Sequence, residues 1–195
     1  MAISYYAEDV ELPAINQEKV SEWVRAVTKT YGKKAGKISY VFCSDEKILE
    51  VNRQYLQHDY YTDIITFDYT EGEKISGDLF ISLDTVKTNS EKFNTPYNEE
   101  LHRTIIHGIL HLCGINDKGP GEREIMEANE NKALAILPEE CKVKKSNLQI
   151  IGQAGMDHSC LFLFTGSSTS VNIYYTSINV FFRQHSLSLR KIKGI

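Results

Sequence analysis

The sequence predicts a mixed α+β fold, in which a small four-stranded, mostly mixed sheet packs with about five helices. Three observations support this class. Runs of β-branched and aromatic residues are few and short, segments with helical spacing of apolar residues are longer, and a short polar turn joins two of the runs as a hairpin. A chain of 195 residues has room for one such domain with a sizeable core.

Four segments are predicted as strands. Residues 2–12 alternate weakly between apolar and polar side chains, and residues 37–43 are rich in β-branched and aromatic types. Two further strands are expected at about 64–69 and 79–82, and the EGEK turn between them indicates a hairpin. These segments supply the sheet.

Five segments are predicted as helices, at 13–32, 44–56, 84–93, 97–113 and 121–136. The first has the clearest periodicity, because its apolar residues recur every three or four positions. The last three follow one another without an intervening strand. Any motif near residue 110 is therefore expected on a helix or on the loop that follows it.

Charge divides the chain into two parts. Residues 1–141 carry 15 Lys and Arg against 25 Asp and Glu, whereas residues 142–195 carry 7 against 1. The second part also contains an apolar run at 171–182, which has the character of an aggregation-prone segment. It is either an extra β-hairpin or a segment foreign to the domain, and the second interpretation is favoured. We predict a domain over 1–141 and an atypical basic tail over 142–195.

Composition narrows the class of protein. Apolar residues make up 42% and charged residues 25% of the chain, as in soluble globular proteins. No apolar stretch approaches the ~18 residues of a membrane span, and the N-terminus lacks signal-peptide features, so a cytoplasmic location without membrane association is predicted. The four widely spaced cysteines indicate neither disulfides nor a cysteine zinc site. The acidic main part argues against nucleic-acid binding through bulk charge, although a local basic patch could still bind.

The informative motif lies in the fourth predicted helix. His107 and His111 are four positions apart, so they share one helix face and can bind a single ion through their imidazoles. Gly114 can adopt positive φ and end the helix, and Asp117 then returns from the same side as a third ligand. Three protein ligands leave a coordination position open, which is typical of a catalytic zinc site.

The alternative interpretation of each histidine is structural. A single helical histidine is more often packed or exposed than bound to metal, but the added glycine and carboxylate favour a metal site here. Cys113 lies within the motif and is interpreted as a small buried apolar residue. The other histidines lack such partners and are given no ligand role; they are His58, His102, His158 and His185.

Two families contain this pattern of ligands. Metzincin proteases resemble it, but they need a glutamate directly after the first histidine as general base, and Gly108 stands there. The stretch HGILHLCG is more similar to the signature of the YbeY family of metal-dependent endoribonucleases. Three further stretches also resemble segments of that family: VNRQYLQHDYYTDIITFDY, SGDLFIS and EELHRTIIHGILHL. The resemblance covers about residues 1–140.

Two positions depart from the family pattern. The family usually ends its motif in Asp-His, whereas Asn116 and Asp117 stand here, and a carboxylate is also a competent zinc ligand. The family commonly has an arginine where this chain has Leu56. Arg53 lies about one helical turn earlier and is our candidate to replace that arginine.

The resemblance implies a single-strand-specific endoribonuclease that acts in rRNA maturation and ribosome quality control. It implies RNA, in particular rRNA, and the ribosome or its proteins as partners. One Zn²⁺ per chain is expected at His107, His111 and Asp117, with other divalent ions as alternatives. Arg53 is the fourth predicted catalytic residue. Arg53 or Arg103 could neutralise the phosphate, the alternative being a solvated helix charge.

Other functions and roles stay open at this point. A non-catalytic ribosome assembly factor would hold a structural metal through a fourth protein ligand, and a metallopeptidase would need a base near the metal. Thr62 and Asp63 resemble a Thr-Asp pair of the family and either line the cleft or cap a turn. Asp78 either orients a group near the metal or closes the hairpin.

Overall fold

A computed structural model describes residues 3–142 and 192–194 and confirms the mixed α+β class. The strands are β1 (Ile3–Ala7), β2 (Lys34–Cys43), β3 (Ile64–Asp68), β4 (Lys74–Ser82) and β5 (Ile192–Gly194). The α-helices are α1 (Gln17–Thr30), α2 (Asp45–Val51), α3 (Leu83–Lys92), α4 (Tyr97–Leu112) and α5 (Glu122–Ala135). None of the helices in these described ranges has the length and apolar character that a membrane crossing requires.

The strands form one mixed sheet in the order β1-β2-β4-β3-β5. β2 pairs in parallel with β1 and β4, whereas β3 pairs antiparallel with β4 and β5. Each parallel pair is connected through at least one helix, as parallel pairing requires. The predicted hairpin is the β3–β4 pair, which closes at the bridge between Glu71 and Lys74.

Strand β5 belongs to the segment that was predicted to be a tail outside the domain. It pairs with Ile65, Thr66 and Phe67 at the edge of the sheet and was not foreseen. The apolar run at 171–182 lies outside the described residues, as do His158 and His185. The division at residue 141 stays a prediction.

Two elements differ from their predicted bounds. β4 begins at Lys74 instead of about 79, because the turn brings Lys74 against Glu71 and the ladder starts there. The second predicted helix is α-helical only to Val51 and continues as one π-helical turn, Asn52–Leu56. Gln57 then takes φ +56° and ends the turn.

The main core lies between one face of the sheet and a layer of helices. α4 contacts α1, α3, α5 and strands β3 and β4, so it occupies the middle of that layer. Each large side chain buried there contributes about 1.5–3 kcal/mol. The most deeply buried members include Val20, Trp23, Val24, Ile38, Tyr40, Phe42, Leu79, Ile105 and Ile109.

The opposite face of the sheet has a second, smaller set of buried side chains. Phe67 and Phe80 make an edge-to-face ring contact at 5.8 Å, and Tyr55 of the π-helical turn contacts Phe67 at 5.5 Å. α2 contacts β4 and buries Ile48 completely. The sheet is therefore covered on both faces, and α4 packs on the face that carries the main core.

Gly108 allows α4 to lie close against the sheet. A Cβ atom at this position would be 2.3 Å from Leu79 Cδ2 and 2.7 Å from Ile64 Cδ1. Position 108 therefore faces strands β3 and β4. A glutamate there would have to enter the helix–sheet interface, so this fold has no room for the base that a metzincin peptidase carries at that position.

Candidate metal centre

The end of α4 brings the three predicted ligands together. His107 and His111 lie in its last two turns, one above the other. Gly114 takes φ +97°, and the N–H groups of Gly114 and Ile115 donate to the carbonyls of His111 and Leu110 at 2.9 and 3.0 Å. This left-handed ending was predicted, and it reverses the chain so that Asp117 returns to the histidines.

The ligand atoms converge on one point. The Nε2 atoms of His107 and His111 are 3.0 Å apart, and each lies 3.8 Å from Oδ2 of Asp117. Tetrahedral zinc, with bonds of about 2.0–2.2 Å, separates its ligand atoms by about 3.4 Å. The observed separations bracket that value. Among the described residues this is the one cluster of three ligand side chains around a common point.

Hydrogen bonds on the far side of each ring assign its proton. Nδ1 of His107 donates to Oε1 of Glu130 at 2.6 Å, and Nδ1 of His111 donates to the carbonyl of Ile115 at 2.8 Å. Both partners accept hydrogen bonds, so each neutral ring carries its proton on Nδ1 and a lone pair on Nε2. Two lone pairs facing each other at 3.0 Å repel, and a shared cation relieves the repulsion. The donor set therefore fits a divalent metal.

Glu130 connects the centre to α5. Its side chain is buried, accepts from His107 and pairs with Nη1 of Arg103 at 3.2 Å. Burial lowers the pKa of His107, but the hydrogen bond and charge of Glu130, with the charges of Asp63 and Asp117, outweigh it and raise the pKa overall. This carboxylate was not predicted as a site residue.

The centre opens into a cleft of about 580 Å³. Solvent reaches it, because the side chains of His107 and Asp117 keep 15% and 17% of their accessible surface. Asp63 also lines the cleft, and its pKa is raised by burial against the opposing charge of His107. The remaining lining residues are Asn89, Phe93, Thr95, Glu100, Arg103, Thr104, Arg123, Met126, Glu127 and Glu130.

The two predicted phosphate-binding arginines lie in different places. Arg53 does not line the cleft, and its guanidinium is paired with Asp59 at 2.6 Å on the surface. Arg103 does line the cleft, but its guanidinium forms ion pairs with Glu130 and Glu100 and donates a further hydrogen bond to Asn131 at 2.8 Å. The structure thus brings Arg103 to the three ligands and leaves Arg53 apart from them.

The remaining candidates divide in the same way. Asp63 lines the cleft, whereas the hydroxyl of its neighbour Thr62 donates to the carbonyl of Ile64 as a turn residue. Asp78 interacts with the hydroxyl of Tyr69 across the hairpin. Cys113 is half-buried and not fully buried as predicted, and this burial raises the pKa of its thiol to about 11.

Comparison with known proteins then decides the family. A sequence model described as "Endoribonuclease YbeY" matches residues 3–138. The chain belongs to the endoribonuclease YbeY family. YbeY relatives include a protein of Parabacteroides distasonis, 83% identical over 142 residues, which are 73% of this chain and the whole of that relative. A Bacteroides fragilis YbeY is 76% identical over 70% of this chain and 98% of its own length.

A more distant YbeY protein and one solved structure agree. The Porphyromonas gingivalis protein is 53% identical over 70% of this chain and 91% of its own. A solution structure of a Thermotoga maritima protein is 26% identical, with a TM-score of 0.50, and covers 72% of this chain and 89% of its own. The resemblance stated from the sequence is therefore confirmed.

Proposed function

We propose that this chain is a metal-dependent endoribonuclease, whose ion is held by His107, His111 and Asp117. One observation carries the proposal. The Nε2 lone pairs of His107 and His111 converge with the carboxylate of Asp117 beside a cleft that solvent reaches. Hydrogen bonds at Nδ1 keep both imidazole rings in this orientation. The names of the relatives support RNA as the substrate.

The residues of this chain prepare the site for hydrolysis. Glu130 and the Ile115 carbonyl keep the Nδ1 protons in place, so neither ring has to change tautomer when an ion binds. A divalent ion supplies a Lewis acid that stabilises negative charge developing at the phosphate. We further propose single-strand specificity, because an unpaired nucleotide is free to enter a cleft, whereas a paired one is held in its stack.

Zinc is the proposed ion, because two imidazoles and one carboxylate make a competent zinc set. Manganese is the alternative, since the carboxylate makes the set somewhat harder than three imidazoles. Metal analysis of the purified protein decides between them. We further propose rRNA as the natural substrate, the ribosome as partner and the cytoplasm as location, as the resemblance implied. A role for Arg53 in phosphate contact also stays a prediction.

The test compares purified wild-type protein with His111→Ala on single-stranded RNA, with and without a chelator. Loss of cleavage is expected in the variant and in the chelated wild type. His102→Gln is the matched control, because His102 lies on the same helix and does not line the cleft. Absence of metal-dependent cleavage by the wild type, or full cleavage by His111→Ala, would falsify the proposal of a metal-dependent nuclease.

The second candidate, a non-catalytic assembly factor, predicts tightly bound metal without any cleavage. Three ligand side chains among the described residues and a cleft beside them favour the enzyme over a closed structural site. A peptidase is the least supported function, because position 108 faces the sheet and offers no base to the cleft.

A further inference from the structure

One part of the cleft is formed by uncharged side chains. Asn89, Phe93 and Thr95 come from the end of α3 and the loop that follows it, and all three line the cleft that contains His107 and Asp117. An amide, an aromatic ring and a hydroxyl are groups that can recognise a nucleobase by stacking and hydrogen bonding. The proposed function so far gives this part of the cleft no role.

Phe93 presents its ring to solvent at a defined position. The side chain is 54% exposed, although the backbone around it is well fixed. Its N–H donates to the Asn89 carbonyl at 2.9 Å, Asn94 takes φ +53°, and the Thr95 N–H donates to the Ser90 carbonyl at 2.9 Å. Single exposed apolar residues are common and need no explanation. This one differs because it lines the metal cleft and is held there by a structured loop.

Arg123 supplies a second, independent observation. It lies in the first turn of α5 and lines the same cleft. Nothing in the described part of the chain makes a hydrogen bond or ion pair with its guanidinium, whereas the guanidinium of Arg103 pairs with three glutamates. An arginine without a protein partner keeps its charge available to a phosphate.

Electrostatics alone would bind RNA poorly here. The cleft also contains several carboxylates, and residues 1–141 carry 25 acidic against 15 basic side chains. Repulsion from these groups has to be offset by an attraction that does not depend on charge. Stacking of a base on an aromatic ring is such an attraction, since every base has a π face.

We propose that Phe93 and Arg123 form a nucleotide-binding subsite for single-stranded RNA, in which Phe93 stacks on one base and Arg123 binds a neighbouring phosphate. This inference rests on the proposed function and names how its substrate is held. The Nζ of Lys92 lies 5.3 Å from the centroid of the Phe93 ring and places a positive charge next to this subsite. Neither Phe93 nor Arg123 is proposed to take part in bond cleavage.

Stacking is tested by fluorescence in the full-length, zinc-loaded protein. Trp23 is the one natural tryptophan and is 2% exposed, so it gives a constant background. A 2′-O-methyl oligoadenylate should quench Phe93→Trp strongly. Tyr6→Trp is the matched control, because Tyr6 is 44% exposed and does not line the cleft, and its emission should not change. Equal quenching of both variants, or of neither, overturns the stacking assignment.

Affinity separates the two roles. Phe93→Leu should weaken oligonucleotide binding about tenfold, without changing its salt dependence, and Phe93→Tyr should restore it. Arg123→Gln should lower the slope of log Kd against log salt by about 0.7, as expected for one phosphate contact to a single strand. Lys132→Gln on the same helix, which does not line the cleft, should leave that slope unchanged.

The outcomes distinguish this subsite from the nuclease proposal. Wild-type affinity, KM and salt dependence in both Phe93→Leu and Arg123→Gln would overturn the subsite and leave metal-dependent cleavage standing. Absence of oligonucleotide binding by the wild-type protein would overturn both. An increase in KM with nearly unchanged kcat in Phe93→Leu is the expected kinetic result, because the residue acts in binding. Thermal unfolding of each variant verifies that it is folded.

Discussion

At the scale of single residues, the centre depends on a proton that is held away from the ion. Glu130 accepts a hydrogen bond from the Nδ1–H group of His107, so the Nε2 lone pair of the ring is available before any ion binds. The same carboxylate pairs with Arg103, which limits its own movement. Contacts of this kind orient ligands and raise their basicity.

Replacing Glu130 should therefore weaken metal binding without removing a ligand. We expect Glu130→Ala to raise the zinc Kd about 10–100-fold and Glu130→Gln to have a smaller effect, because the amide still accepts the hydrogen bond. Competition with a chelating dye measures both. Glu127→Ala is the control, since Glu127 lines the cleft on the same helix. An unchanged Kd in Glu130→Ala would show that the contact is dispensable.

His102 should make stability depend on pH. It is 1% exposed, its Nδ1 donates to the Asn98 carbonyl, and burial lowers its pKa. In the unfolded chain, the His102 ring binds a proton near pH 6.5, whereas in the folded chain the ring is still neutral at that pH. The stabilising effect of the neutral ring is therefore complete above about pH 6.5 and declines as pH falls below that value.

The measurement is the free energy of unfolding of wild type and His102→Gln between pH 8 and pH 5. The wild-type advantage should shrink below about pH 6.5, with a slope of at most about 1.4 kcal/mol per pH unit, the limit for a difference of one proton. Taking the difference removes the contributions that the other histidines make equally to both proteins. A difference that is constant with pH would contradict the prediction.

At the scale of secondary structure, the separation between α4 and the sheet fixes the position of the ligands. Gly108 lies between His107 and His111 in sequence but faces Leu79 and Ile64. The helix can approach β3 and β4 because no side chain intervenes there. His107 then lines the cleft, where Glu130 of α5 reaches it.

Gly108→Ala should destabilise the protein even though alanine is the better helix former. The added Cβ would lie 2.3 Å from Leu79 Cδ2, and such overpacking costs about 1–3 kcal/mol, against a gain in helix propensity of about 1. Chemical denaturation measures the balance. The double variant with Leu79→Val should lose less than the sum of the single variants, because valine lacks the obstructing atom. Strict additivity would rule out this contact as the cause.

The sequence predicts site residues that lie close together along the chain better than those that only helix packing brings together. The three proposed ligands lie within eleven residues, so helical spacing and one glycine turn were enough to predict that their side chains meet. Glu130 was missed because only the packing of α5 on α4 brings it to His107. A signal existed, since Met126, Glu130 and Ala133 are buried at helical spacing and the glutamate is a charged residue in an apolar row.

Other features were missed for similar reasons. Phe93 and Arg123 reach the cleft from different helices, and no local pattern joins them. A role of Arg53 on the substrate stays a prediction, and its guanidinium pairs with Asp59 in the loop after the π-helical turn. Strand β5 could not be foreseen, because an edge pairing of three residues leaves little trace in composition.

At the scale of the whole molecule, the family match and the predicted domain cover nearly the same residues. The YbeY model ends at residue 138, and the Parabacteroides distasonis relative aligns over its full length with 142 residues of this chain. All three proposed ligands, Glu130 and the cleft lie within that range.

Removing the tail should therefore preserve function. We expect a protein of residues 1–141 to fold cooperatively, bind zinc as the full chain does and cleave RNA at a similar rate. Its stability should fall modestly, because β3 loses the pairing with β5. Thermal unfolding, metal titration and cleavage by the two proteins side by side provide the measurement. Loss of both folding and activity would place the tail inside the domain.

The hydrogen bond between Glu130 and His107 has one further consequence. It couples α5 to the proposed metal centre, so a bound ion would restrain α5 as well as the proposed ligands. Without the ion, amide hydrogens of α5 should exchange faster with solvent, because local opening there costs less. Proteases act on such openings. Cellular abundance of this enzyme should therefore follow the supply of divalent metal, and starvation for the ion would lower the amount of the protein together with its activity.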